Sequence, residues 1–149
     1  MKRRNFLLSL FVFFVAAIFA VSSASNVLAA GKVKTAKDFL SEAKANIKEI
    51  TPKEAKALFD KGGVIFLDVR TYKEVKKGKI PGAKHLQRGL IEFKIKNVLP
   101  DKNAKVVVYC KSGGRSALAA YTLKQMGYTN VMSLKGGFKA WLKAGYPIE

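Results

Sequence analysis

Hydrophobic positions recur at helical spacing from Thr35 onward: Ala36, Phe39, Leu40, Ala43 and Ile47 share one stripe, and Thr35 with Asp38 reads as a capping box. A helix over about 36–47 is predicted. Thr51, Pro52 and Glu54 mark a second helix start, with cap, first-turn proline and third-position glutamate, and Gly62 with Gly63 stops that helix. The period then changes. Val64 to Val69 is a short, mostly β-branched or aliphatic run bounded by those glycines, which suits a strand buried on both faces, and Val106 to Tyr109 is another. After the polar residues Cys110 to Ser116, the positions Ala117, Leu118, Tyr121, Leu123 and Met126 continue as a helix ending at Gly127. A short strand around Val131 and Met132 and a helix from about Phe138 to Lys143 close the chain. Helix and strand alternate throughout, so the pattern predicts an α/β domain with a parallel sheet and helices on both faces. Neither an internal repeat nor a low-complexity linker divides residues 31–149, which read as one unit.

The first thirty residues follow another rule. Lys2, Arg3 and Arg4 form a positive start, and Phe6 to Val21 is apolar apart from Ser9. That run is shorter than the roughly 20 residues that span a bilayer, so residues 1–30 are expected to be a signal peptide, removed near Ala30 or Gly31. Contact with the membrane is expected only through this segment, if it stays on the chain. Arg3 and Arg4 followed by Asn5, Phe6 and Leu7 also look like a twin-arginine signal, and either export route implies a periplasmic protein.

Composition narrows the chemistry. A chain of 149 residues that is 49% hydrophobic and 26% charged fits one ordinary core and disfavours disorder. The net charge is +18, and only three of the 28 basic residues lie in the first thirty positions, so the basicity belongs to the domain. No aromatic interleaving or groove-reading motif accompanies it, and steering of small anions is the expected use, with no nucleic-acid partner. The single cysteine, Cys110, excludes an intrachain disulfide and a Cys-rich zinc site; the single histidine, His85, excludes a multi-histidine metal site. No cofactor or metal is expected.

The richest signal is a buried strand feeding Cys110, Lys111, Ser112, Gly113, Gly114, Arg115 and Ser116 and then a helix. Ligands of parallel α/β sheets bind outside the carboxyl ends of the strands, where this segment would lie. Gly113 and Gly114 let the backbone curl so that N–H groups converge, and the helix start adds its partial positive charge. Those groups, with Lys111 and Arg115, favour thiolate over thiol. The expectation is a solvent-reachable nucleophile, Cys110, in an anion cradle built by residues 111 to 116.

Three separated motifs resemble the rhodanese family over about residues 48–149. They are Leu67, Asp68, Val69 and Arg70 with Glu74 and the run Gly78 to Ala83; the loop Cys110 to Arg115; and Gly136, Gly137, Phe138, Lys139, Ala140 and Trp141. The resemblance implies a single domain with a central, mainly parallel five-stranded sheet. Residues 31–47 would then be a helical extension. It also implies a sulfurtransferase in which Cys110 takes sulfur from an anionic donor such as thiosulfate, holds it as a persulfide and passes it to a thiophilic acceptor. The alternative is a carrier or interaction module that delivers the sulfur to a protein partner. Related phosphatases of the cell-cycle type have a loop one residue longer, so phosphatase chemistry is the weaker implication.

The remaining polar residues invite plainer readings. Asp68 and Arg70 are expected to pair and support a loop, and Glu74 to meet a basic neighbour. Pro81, Gly82 and Ala83 read as a turn, and Phe138 and Trp141 as core. Lys79 stands where the family often has a histidine; any duty of that histidine must be met differently here. His85 is expected to be a satisfied histidine without a catalytic role.

Overall fold

The computed structural model describes residues 33–149, so the expected signal peptide lies outside the described residues. Local chemistry starts the helices where the pattern places them. Thr35 caps α1 (Ala36–Asn46) and Thr51 caps α2 (Pro52–Lys61), each through a full capping box with Asp38 and Glu54. Gly62 ends α2 at φ +73°, its amide bonding back to the Leu58 and Phe59 carbonyls.

Five strands, β1 (Lys48–Ile50), β2 (Ile65–Asp68), β3 (Lys84–His85), β4 (Val106–Tyr109) and β5 (Val131–Leu134), form one sheet in the order β1-β5-β4-β2-β3, with every pairing parallel. The expected architecture is present. Residues 70–105, where the pattern predicts no regular element, hold α3 (Tyr72–Val75), β3, a 3₁₀ turn at Arg88–Leu90 and α4 (Ile91–Val98). Short length hides β1, β3 and α3: two to four residues are too few to show a period. Helix α5 (Gly114–Gln125) begins three residues before the expected Ala117, because left-handed Gly113 starts the helix directly. The last helix is α6 (Gly137–Lys143).

Side chains of β4 alternate between the two faces of the sheet. Val106, Val108 and Cys110 pack with Leu67, Val69, Ile91, Ile95, Ala119, Ala120 and Leu123 under α4 and α5. Val107 and Tyr109 pack with Phe66, Leu134, Phe138 and Trp141 under α2 and α6. Phe59, Phe66 and Trp141 meet edge to face with centroids 5.8–5.9 Å apart, a favoured aromatic geometry. Burial of β4 on both faces is what brings Cys110, the next residue, to the carboxyl edge of the sheet.

Candidate active site

The cysteine sits where β4 ends and the chain turns through Lys111 and Ser112 into Gly113. Gly113 adopts φ +101°, a conformation that side chains resist, and its amide points inward and donates to Cys110 Sγ at 3.2 Å. The floor of this loop is set by another segment. Cys110 and Lys111 carbonyls accept from the Phe138 and Lys139 amides at 2.7 and 3.1 Å, so α6 is docked against the loop by backbone alone. Gly137 makes that approach feasible: a Cβ there would lie 2.4 Å from the Cys110 carbonyl oxygen and 2.9 Å from the Gly113 nitrogen.

Three expectations for the cradle change. Cys110 is enclosed, with 1% of the residue exposed, in place of an open thiol, because it continues the buried alternation of β4 and packs within the α4–α5 core. Ser116 does not face the loop's mouth. It is wholly buried in the first turn of α5, its hydroxyl donating to the Gly113 carbonyl at 3.0 Å and accepting from Ser133 at 3.0 Å, and so it braces the loop from beneath. Arg115 is not a free charge. Its Nη1 and Nη2 donate to Glu74 Oε2 and Oε1, both at 2.8 Å. Its hydrogen bonds to Glu74 hold the Arg115 guanidinium above the usual arginine range; burial opposes the shift and the Cys110 sulfur adds to it. Lys111 and Ser112 are exposed, Gly114 is half-buried, and Lys139 is exposed beside Lys111. Among the described residues neither lysine pairs with a carboxylate.

Glu74 is held on its own side. Its Oε2 accepts from the Thr71 amide and hydroxyl at 2.9 Å each. The Arg115 hydrogen bonds, against some burial and with those Thr71 bonds helping, lower its carboxyl to about 2. Asp68 and Arg70, both buried, form the expected pair: Arg70 Nε lies 2.9 Å from each Asp68 oxygen and Nη2 lies 2.6 Å from Oδ2. Arg70 also donates to the Glu74 carbonyl at 3.3 Å and the Gly78 carbonyl at 2.8 Å, and its guanidinium stacks 4.0 Å from the Phe138 ring centroid. The pair therefore supports α3 and α6 together. Tyr109 joins them by accepting from the Ile80 amide at 3.2 Å; burial first, then Asp68, pushes its hydroxyl upward in pKa.

Lys79 and His85 have structural duties. Lys79 Nζ donates to the Ala83 carbonyl at 3.1 Å and pairs with Glu149 at 2.8 Å, while its backbone exchanges two hydrogen bonds with Glu149. It closes the Pro81–Ala83 turn, in which Gly82 takes φ +69°, and fastens the last residues of the chain. His85 Nε2 lies 2.8 Å from the Arg70 carbonyl oxygen. Within the described residues no group of three or more His, Cys, Asp and Glu could hold a metal.

Fold and site together define a parallel α/β protein with one loop-seated cysteine against a helix start. Residues 51–144 match the model of the rhodanese-like domain, and the chain belongs to that family. A sulfurtransferase of Allochromatium vinosum is 41% identical over 91 residues, covering 61% of this chain and 83% of that protein. The thiosulfate sulfurtransferase GlpE of Pseudomonas putida is 35% identical over 105 residues, 70% of this chain and 93% of its own. A solved structure from Rhodopseudomonas palustris, described as a protein of unknown function and a possible tyrosine phosphatase, has a TM-score of 0.74 at 38% identity and covers 78% of this chain and 96% of that one. The sulfurtransferase relatives support sulfur transfer in general.

Proposed function

We propose that this protein is an exported, periplasmic sulfurtransferase that moves sulfane sulfur from thiosulfate or a similar anionic donor to a thiophilic acceptor through a Cys110 persulfide. The observation that carries the reading is the seat of Cys110 Sγ, at the end of β4 under the inward-pointing Gly113 amide, in the loop that also carries Arg115. In the first step, once the donor reaches the enclosed sulfur, the Cys110 thiolate attacks the outer sulfur of thiosulfate. A new S–S bond forms, the old one breaks, and sulfite leaves with its electron pair. In the second step cyanide or a thiolate attacks the outer persulfide sulfur and frees the Cys110 thiolate. Charge balances in both displacements, so no oxidant or reductant is needed. The Gly113 amide and the guanidinium edge of Arg115 stabilise negative charge on the transferring sulfur, and Lys111 and Lys139 draw the donor to the loop. As the chain's single cysteine, Cys110 has no internal resolving thiol, so the acceptor comes from outside.

The test is thiosulfate:cyanide turnover together with intact mass after exposure to thiosulfate. Cys110→Ser is expected to reduce turnover to background, a loss of at least about 10³-fold, while leaving circular dichroism unchanged. The wild-type chain should gain one sulfur atom. A Cys110→Ser variant with wild-type rate would remove the assignment. Hydrolysis of an aryl phosphate in place of sulfur gain would move the reading to the phosphatase class. Single loading with turnover only when a protein acceptor is supplied would move it to a carrier.

A further inference from the structure

Arg115 belongs to the loop by sequence, yet its orientation is decided 41 residues upstream. Both terminal nitrogens engage the two oxygens of Glu74 at 2.8 Å, the paired geometry that a planar guanidinium favours. Glu74 in turn cannot swing freely. Its carboxylate is tied to the Thr71 amide and hydroxyl, and its carbonyl is held by Arg70, which is anchored on buried Asp68. A line of polar contacts thus runs from the end of β2 through α3 to the wall of the cysteine loop. At the loop itself, one acid offsets Arg115, while Lys111 and Lys139 stay unpaired among the described residues.

We infer that Glu74 is a positioning residue that holds the Arg115 guanidinium in place beside Cys110 and sets the net charge met by the sulfur donor; this rests on the sulfurtransferase reading above. The two effects act in opposite directions on binding and on rate. The Glu74 carboxylate repels an incoming dianion and weakens its hold, and it repels the departing sulfite equally. The guanidinium, fixed before the donor arrives, needs no reorientation as charge moves from the thiolate to sulfite. Weak donor binding is therefore coupled to fast transfer and release.

The experiment is steady-state kinetics with thiosulfate and cyanide on three variants. Glu74→Gln removes the charge and half of the paired geometry. It is expected to lower KM for thiosulfate by about threefold to tenfold, by removing one like charge from the wall of the loop that meets the dianion. It should also lower kcat by about tenfold through loss of alignment. Glu74→Asp keeps the charge but not the reach, so KM should return to the wild-type value while kcat stays low. Arg115→Lys keeps the cation without the fork and serves as the second variant if Glu74→Gln does not fold: kcat should fall with KM within about twofold of wild type. A Glu74→Gln enzyme with unchanged kcat and KM, or with a raised KM, overturns the role of Glu74. An inactive wild-type protein instead overturns the proposed activity, so the two failures are distinct.

Discussion

The chain builds one local device twice. Strand β4 passes through Cys110, Lys111 and Ser112 to left-handed Gly113 and into α5, and β5 passes through Lys135 to left-handed Gly136 and into α6. Neither helix has a side-chain cap at its start, and both lie at the carboxyl edge of the same sheet. Only the first carries a nucleophile. The second is filled by the first: its amides bond the carbonyls of Cys110 and Lys111, and the missing side chain of Gly137 is the space that the Cys110 carbonyl occupies. Glycine turns alone do not make a site. Loop length and the surface packed against the turn decide whether its amides face a ligand or a neighbouring backbone.

That contrast can be broken most severely at Gly137. An alanine there combines φ +60° with a 2.4 Å approach to the Cys110 carbonyl, so Gly137→Ala should destabilise the domain by about 3 kcal/mol and disrupt sulfur transfer as well. Urea denaturation and the cyanide assay would register both losses; a variant near wild type in both would show that α6 does not shape the loop.

Acid should act next, and of the two turns it should act on the first. The Glu74 carboxyl is lowered from 4.5 to about 2, so its contribution is complete above about pH 4.5 and is lost as the pH falls through about 2. The pair is half-exposed, which keeps the effect modest. Denaturation of wild type and Glu74→Gln at pH 6, 4 and 2.5 is expected to show a stability gap that is widest at the highest pH and clearly narrowed, though still open, at the lowest. A gap independent of pH would mean that the Arg115 pair contributes nothing.

The smallest effect is expected at Gly114. Nothing lies within 4 Å of a Cβ built there and its φ is ordinary, so Gly114→Ala should change stability by no more than about 0.5 kcal/mol. Thermal melting checks it. A loss as large as that of Gly137→Ala would erase the difference between a glycine required by contact and one that is merely local.

Much of this was legible in the residues. The Thr35 and Thr51 capping boxes, the Gly62 stop, the buried runs of β2 and β4, and the cysteine followed by glycines are all statements about neighbours within a few positions, where propensity and period act. The Asp68–Arg70 pair was readable for the same reason, being two residues apart. The segment 70–105 was less legible because its elements are brief, although Ile91, Ile95 and Val98 of α4 lie at helical spacing and carried a usable signal. Glu74 as the partner of Arg115 was announced only as an acid seeking a base.

The amino-acid order by itself determined the alternation of helix and strand, the parallel sheet that follows from it, and the position of Cys110 at a strand end. The tertiary structure alone decided that Cys110 is enclosed, that Ser116 turns down to Ser133, that Glu74 takes up both arms of Arg115, and that Lys79 binds Glu149. The reason is physical. Caps, stops and periods depend on groups already adjacent along the backbone, whereas a buried sulfur or a paired guanidinium depends on which distant surfaces the close-packed interior brings together.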